Sequence, residues 1–376
     1  MLIDECSKPV VSTFQDEKLC EELQKTLVDF YGMLKSHGGD LKFLMLTSAT
    51  YLPKVSIFSS GINQLADVST HDEYASLCGI TKDELLQYFT PELKKLAEKQ
   101  NLSFDEAVAK MMQKYGGYHF RDCDEEGVLN PVSVLNSLNF SDFESYWLQT
   151  GTHTYLVDLL KKQDYLFQSL PDKVMAQHHE FTGFREDMLT IPMLYQNGYL
   201  TITEYDRRYG CVWYHLGFPN DEVKYGFLDF LMPYYTSLST DDSRFHIAEF
   251  SRELASGNVE ALIERLKAFF AKMPCVFKKD RKERYQAIFH MVFMLVGQYA
   301  DAQVCSGYRD NVDVVVKTEE FIYVFEIKFN GTAEEALQQI DGKNYSIPYQ
   351  PDGRTLVKIG VEFSKEEHNI HRFIVG

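Results

Sequence analysis

Two apolar segments near the C-terminus constrain the fold more than any other feature of the chain. Val312–Val316 and Val324–Lys328 consist of aliphatic and aromatic residues, apart from three charged ones: Asp313, Glu326 and Lys328. Continuous apolar runs of this length are typical of buried strands. The short polar turn between the two runs predicts that they form a hairpin.

The three charged residues form the most informative group of side chains. Side chains alternate along a strand, so Glu326 and Lys328 point to one face, and a hairpin brings Asp313 near Glu326. Two adjacent carboxylates disfavour each other's ionisation, and Mg²⁺, which prefers oxygen ligands, removes that conflict. A neighbouring lysine can stabilise the charge that develops on an attacked phosphate. The alternative is an ion pair in which Lys328 neutralises Glu326, with Asp313 as a turn or strand-end cap.

Residues 276–376 predict the element order αβββαβ, followed by one more strand. A helix at Arg281–Tyr299 precedes strands near 302–306, 311–317 and 321–329. A second helix at Thr332–Asp341 precedes strands near 355–361 and 371–375.

This region resembles the PD-(D/E)XK nuclease-superfamily domain that follows an AAA-ATPase-like domain in a large family of bacterial proteins. The resemblance runs through Asp313–Thr318, Ile322–Phe329 and Thr332–Ile340. It implies a restriction-endonuclease-like fold and Mg²⁺-dependent cleavage of nucleic acid. One departure is that Asp310 and Asn311 stand where the family usually has Gly-Arg, and the loss of that arginine weakens the case for phosphate binding.

The resemblance also implies a role for each site residue. Asp313, Glu326 and Lys328 correspond to the D, E and K of the motif. Gln339 is a further catalytic candidate, because the superfamily often places a polar residue on the helix after the motif. Glu283, on the first helix, is a candidate third metal ligand beside Asp313 and Glu326, and the alternative for it is a solvated charge within a basic run.

The first residues resemble the Walker B segment of the same family. Leu2–Pro9 reads Leu-Ile-Asp-Glu-Cys-Ser-Lys-Pro, and in a working ATPase the Asp holds Mg²⁺ while the Glu polarises water. Asp4 and Glu5 are therefore interpreted as the remnant of a nucleotide-binding site. The 376 residues contain no G-x-x-x-x-G-K-[ST] loop. We expect a truncated or mis-started family member that does not hydrolyse ATP; the alternative is a fragment whose partner supplies the rest.

The predicted organisation is an incomplete P-loop-type α/β region with a helical middle, followed by a restriction-endonuclease-like αβββαβ domain. Residues 1–150 form the AAA-ATPase-like remnant, 151–275 a middle region of mostly short helices, and 276–376 the nuclease-like domain.

Local patterns fill in the first two segments. Apolar spacing predicts a helix over Glu17–Leu34, and the run Phe43–Leu46 predicts a strand buried on both faces. Residues 70–115 are expected to be helical, because Thr81 with Glu84, and Ser103 with Glu106, form capping boxes. The rest of these segments is predicted as follows: 116–150 rich in loops, Gly198–Trp213 a β-rich insert with a turn at Arg207–Gly210, and Asn258–Lys272 an amphipathic helix.

Composition limits the class of protein. With 38 basic and 55 acidic residues the formal charge is −17, which excludes a general nucleic-acid coat but not a local site that reaches nucleic acid through a metal. Seven scattered cysteines without a C-x-x-C pair fit a reducing cytoplasm, and the longest apolar run, Phe289–Val296, is too short to span a membrane. Expected partners are nucleic acid, and either a second copy or a chain that supplies the N-terminal part. A non-catalytic regulatory or binding module is the alternative function.

Overall fold

The computed structural model describes residues 1–6, 8–11, 13, 16–48, 66, 68–121, 126–147, 174–182, 190–208, 210–236, 238–272, 282–299, 303–305, 313–364 and 366–376. These residues pack into two units that divide between Lys224 and Tyr225. The division falls inside the predicted middle segment 151–275, and the outer limits of the three predicted segments stay a prediction.

The first unit begins with a small parallel sheet and two helices. Strand β1 (Leu2–Ile3) pairs in parallel with β2 (Met45–Leu46), and helices α1 (Lys8–Val11) and α2 (Glu17–Ser36) lie between them in sequence. Their shared core consists of four buried side chains: Cys6, Val10, Cys20 and Tyr31.

The predicted doubly buried strand at Phe43–Leu46 is wrong in length and in burial. Only Met45 and Leu46 pair with β1, and the Phe43 side chain is 62% exposed. The ladder with β1, which is the one neighbouring strand of β2 among the described residues, extends over two residue pairs, and Phe43 lies before it.

Four helices follow: α3 (Lys82–Tyr88), α4 (Thr90–Lys99), α5 (Phe104–Tyr115) and α6 (Pro131–Phe140). Both predicted capping boxes are confirmed. The Thr81 hydroxyl accepts from the Glu84 amide, and the Ser103 hydroxyl accepts from the Glu106 amide. Each glutamate side chain in turn accepts from the backbone amide of its cap residue. Apolar side chains of all four helices share one core.

Helix α6 lies where the sequence predicted mainly loop. The Asn130 side chain caps it by accepting from the amides of Val132 and Ser133, and Pro131 occupies the first turn, where its missing N–H costs no helical hydrogen bond. The Asn-Pro pair is the sequence signal that could have identified this helix.

The first unit ends in an antiparallel sheet of order β3-β5-β4. Its elements are β3 (Val174–Ala176), α7 (His178–Thr182), α8 (Thr190–Gln196), β4 (Thr201–Arg208) and β5 (Cys211–Gly217). The predicted β-rich insert is confirmed as the β4–β5 hairpin, although β5 extends four residues beyond Trp213.

The second unit opens with long helices. These are α9 (Asp221–Thr236, which crosses the division), α10 (Thr240–Ala255), α11 (Val259–Ala271) and α12 (Lys282–Tyr299). The prediction of short helices is wrong for α9 and α10, which have 16 residues each. The predicted amphipathic helix is confirmed as α11, with Asn258 as its N-cap. No helix in the described part of the chain is both long and apolar enough to cross a bilayer.

A five-stranded sheet of order β10-β9-β8-β7-β6 follows. Its elements are β6 (Gln303–Cys305), β7 (Val314–Lys317), β8 (Phe321–Lys328), α13 (Ala333–Gly342), β9 (Thr355–Ser364) and β10 (Asn369–Val375). Strands β8 and β9 are parallel and are joined through α13, while the other neighbours are antiparallel. From α12 onwards, the described elements follow the predicted order.

The two faces of the sheet pack against different helices. On one face, Phe325 lies against Phe293 of α12, with ring centroids 4.8 Å apart, and the Tyr323 hydroxyl donates to the Leu254 carbonyl of α10. On the other face, Ile322 and Val324 pack in a cluster with Ile340 of α13. Side chains alternate along β8, so Glu326 and Lys328 belong to the α13 face.

Candidate active site

The β7–β8 hairpin places Asp313 beside Glu326. Val314 pairs with Phe325 in the antiparallel register, so Asp313, one residue earlier, is level with Glu326. The Asp313 Oδ2 atom accepts a hydrogen bond of 2.7 Å from the backbone amide of Ile327. This bond fixes the carboxylate at the end of the ladder, next to the Glu326 side chain.

Glu326 is a buried carboxylate with only one oxygen engaged. Its residue exposure is 4%, and Oε1 accepts from the Lys328 Nζ atom at 3.0 Å. The Oε2 atom is buried and receives no hydrogen bond from the described residues. Burial raises the pKa of Glu326 and the charge of Asp313 raises it further, whereas the hydrogen bond and charge of Lys328 and a hydrogen bond from the Asp313 backbone oppose both effects. A buried carboxylate oxygen such as Oε2, to which Lys328 donates no hydrogen bond, is costly unless a metal ion or a proton joins it.

Lys328 connects the sheet to α13. Its Nζ atom donates to Glu326 Oε1 and also to the side-chain oxygen of Gln339. The lysine side chain is 25% exposed, so the ammonium group lies at the boundary between the buried carboxylate and solvent. The fold therefore brings together four of the predicted site residues: Asp313, Glu326, Lys328 and Gln339.

Two residues of β9 that sequence reasoning did not assign to the site support it. In the parallel register Glu326 is level with Gly360, and Lys328 with Glu362. A Cβ on Gly360 would lie far inside van der Waals contact with the Ala333 carbonyl oxygen. Glu362 Oε2 accepts from the Ala333 amide at 3.3 Å. The signal for Gly360 was a lone glycine inside an apolar strand, which marks a close backbone approach.

Comparisons with known proteins place both ends of the chain in known families. Residues 281–373 match the PD-(D/E)XK nuclease superfamily, and residues 1–58 match a predicted AAA-ATPase family. An uncharacterized protein in the vnfD 5′ region of Azotobacter chroococcum mcd 1 is 30% identical over 383 residues, covering 100% of this chain and 71% of the relative. The chain belongs to the family that combines an AAA-ATPase-like region with a PD-(D/E)XK nuclease-superfamily domain. No solved structure matches this chain.

The site residues of the nuclease-superfamily domain fit Mg²⁺ better than a metal ion that is held entirely by protein side chains. No group of three or more His, Cys, Asp or Glu side chains that could hold a metal occurs among the described residues. Mg²⁺ is usually held by only one or two carboxylates, with waters and substrate oxygens as its other ligands. Asp313 and the unpartnered Oε2 of Glu326 provide such a pair. The Glu283 side chain lies outside the described residues, so its role as a ligand stays a prediction.

The AAA-ATPase-like region places Asp4 and Glu5 at the end of β1. Asp4 Oδ1 accepts from the Thr47 hydroxyl and from the Glu5 amide. Glu5 has a positive φ of 50° and forms a 2.5 Å ion pair with Lys8. Both carboxylates are thus engaged by neighbours within the chain, and their assignment to a nucleotide site stays a prediction.

Proposed function

We propose that the PD-(D/E)XK domain of this protein hydrolyses phosphodiester bonds of nucleic acid, with Mg²⁺ held by Asp313 and Glu326. The observation that carries the proposal is the Glu326 carboxylate, which is buried beside a second carboxylate and has one oxygen without a hydrogen-bond donor among the described residues. Such an arrangement destabilises a metal-free fold. It is explained if the site exists to bind a cation.

Each residue has a separate part in this reaction. When bound, Mg²⁺ supplies a Lewis acid that polarises a phosphate oxygen and makes a water more acidic. Asp313, held by the Ile327 amide, and Glu326 provide its hard oxygen ligands. Lys328, oriented by Gln339, presents a positive charge to the phosphate, where negative charge grows as the bond breaks.

The proposal is tested by cleavage of labelled single- and double-stranded DNA and RNA in MgCl₂. Asp313→Asn, Glu326→Gln and Lys328→Met should each lose cleavage. Lys358→Met is the matched lysine control, because Lys358 lies on the same face of the neighbouring strand and pairs with Asp341 at 2.6 Å. Glu334→Gln is the carboxylate control, because Glu334 pairs with Arg372 at the surface. Cleavage that persists in all three site variants would reject the proposal.

The second candidate function is a non-catalytic regulatory or binding module. The 3.0 Å bond between Lys328 and Glu326 favours it, because an ion pair needs no metal. Titration calorimetry with Mg²⁺ distinguishes the two functions. Binding that is lost in Asp313→Ala supports the nuclease, whereas no Mg²⁺ binding and no cleavage by the wild type leave the module.

The proposal assigns no ATP turnover to these 376 residues. Their sequence contains no G-x-x-x-x-G-K-[ST] loop, the pattern that cradles the β- and γ-phosphates. Asp4 accepts a hydrogen bond from Thr47, and Glu5 forms an ion pair with Lys8. A phosphate-release assay with MgATP should show no turnover above a heat-denatured sample. Turnover that disappears in Glu5→Gln would contradict this assignment.

A further inference from the structure

The first unit contains an open cavity of about 230 Å³ that the proposed nuclease site does not use. One face of the β4–β5 hairpin lines the cavity with the side chains of Ile202, Val212 and Tyr214. Arg207 of the same hairpin lines it as well, and Phe120 with Arg121 forms part of its wall. The described lining of the cavity therefore combines apolar and aromatic residues with two arginines.

A β-bulge brings Arg207 onto the apolar face. Ile202 is level with Leu216, but the register then shifts, so that Glu204 is level with His215 and Arg207 with Val212. Ile202 and Arg207 are five positions apart, an odd number that puts two side chains on opposite faces of a regular strand. The extra residue in the bulge places both on the same face, which is a known use of bulges near binding sites.

The charge around the cavity differs from that of the chain. The protein has 55 acidic and 38 basic residues, yet none of the described residues that line the cavity carries a carboxylate. Arg121 forms an ion pair with Asp72, in which both side chains are about half exposed. Exposed ion pairs contribute little stability, so an anionic ligand can take over the Arg121 guanidinium at small cost.

The aromatic side of the cavity is held in place by ring packing. The Tyr214 ring contacts the buried Phe181 ring at 5.4 Å between centroids, and the His178 ring contacts the same Phe181 at 5.5 Å. Side chains that are fixed before the ligand arrives lose little conformational entropy on binding. Tyr214 therefore offers a preorganised flat surface beside the Arg207 side chain.

These features select the chemistry of the ligand. The volume is below that of sites for drug-sized molecules, so the cavity accepts one ring system with its anionic group. Aromatic side chains stack on nucleic-acid bases, and arginine binds phosphate through paired hydrogen bonds. We infer that this cavity binds one nucleotide unit, with its base on Tyr214 and Phe120 and its phosphate at Arg121 and Arg207. The inference does not depend on the nuclease proposal, because all the described residues that line the cavity belong to the first unit.

The test measures binding by the full chain in EDTA, so that metal-dependent cleavage plays no part. Fluorescence anisotropy follows a labelled short oligothymidylate, and calorimetry follows thymidine monophosphate. Arg207→Gln removes one charge-assisted contact, for which we expect about a tenfold loss of affinity. Tyr214→Leu removes one stacking surface, for which we expect a similar loss.

Arg208→Gln is the matched control, because Arg208 is the next residue of the strand, is 64% exposed and pairs with Asp206 at 3.0 Å. It should bind as the wild type does. Binding of the mononucleotide identifies a free nucleotide as sufficient, and binding of the oligonucleotide alone identifies a strand as the ligand. No binding of either probe by the wild type, an affinity unchanged in Arg207→Gln, or equal losses in Arg207→Gln and Arg208→Gln would overturn the inference.

Discussion

Replacing Glu326 by glutamine separates a metal site from a structural ion pair. In a metal site, the buried carboxylate destabilises the metal-free protein, because its Oε2 atom has no hydrogen-bond donor among the described residues and Asp313 lies beside it. An unsatisfied buried acceptor costs about 1–3 kcal/mol. In EDTA at neutral pH, Glu326→Gln should therefore be more stable than the wild type by up to about that amount.

The pH dependence gives the same prediction a second readout. Glu326 has a pKa raised above its ordinary value of 4.5. The folded protein therefore holds a proton on the Glu326 carboxyl group more tightly than the unfolded chain does. Its contribution to stability is complete below pH 4.5 and is lost as the pH rises through the raised pKa of the folded state. The stability advantage of Glu326→Gln over the wild type should therefore appear as the pH rises through this pKa and vanish below pH 4.5.

Added Mg²⁺ should reverse the order of stability. A ligand that binds only the folded state stabilises it by about 2.7 kcal/mol at a hundredfold excess over its Kd, and only the wild type keeps both carboxylates. Because the two units need not unfold together, amide hydrogen exchange along Phe321–Lys328 is the appropriate measurement. Glu334→Gln serves as the control and should resemble the wild type with and without Mg²⁺.

The ion-pair interpretation predicts the opposite result. Removing one partner of a buried ion pair costs about 3–5 kcal/mol, because the remaining charge is left uncompensated. A Glu326→Gln variant that exchanges much faster than the wild type in EDTA, together with no response of the wild type to Mg²⁺, would refute the reasoning for a metal site.

Three further predictions concern other parts of the structure. Lys328→Met should retain Mg²⁺ binding in calorimetry and lower the cleavage rate by about a hundredfold or more; parallel loss of binding and cleavage would show that the lysine shapes the metal site instead. Gly360→Ala should destabilise the second unit by about 1–3 kcal/mol in thermal unfolding, whereas Gly342→Ala, where an added Cβ meets nothing within 4 Å, should not. Amides of Leu2–Ile3 should exchange faster than those of β8, because a two-stranded sheet is marginal; equal protection would show that a partner covers this sheet.

The hairpin that carries the site could be predicted because its signals are local. Alternation along a strand fixes that Glu326 and Lys328 share a face, and the short turn places Asp313 level with Glu326. The capping boxes at Thr81 and Ser103 were predictable for the same reason, since each depends on residues three positions apart. The contact of Lys328 with Gln339 needed the family resemblance, because the two residues are eleven positions apart and no local pattern specifies where α13 lies.

Features that depend on distant neighbours could not be predicted. The apolar run ending at Leu46 looks like a buried strand, but its burial depends on which distant elements pack against it, and the Phe43 side chain is 62% exposed. The bulge after Ile202 is equally hidden, since nothing in the residue types reveals that the register shifts by one position. That single shift decides whether Arg207 faces the cavity.

Packing and the geometry of the candidate site in the second unit both depend on the close approach of α13 to β9. Helix α13 crosses from β8 to β9 and lies so near the sheet that Gly360 has room for no side chain. This proximity lets Gln339 reach Lys328, which in turn reaches Glu326. We expect a larger residue at Gly360 to push α13 outwards and to separate Gln339 from the lysine. The glycine therefore contributes to the orientation of Lys328 although it contacts no substrate, and cleavage by Gly360→Ala should fall even at temperatures where the second unit remains folded.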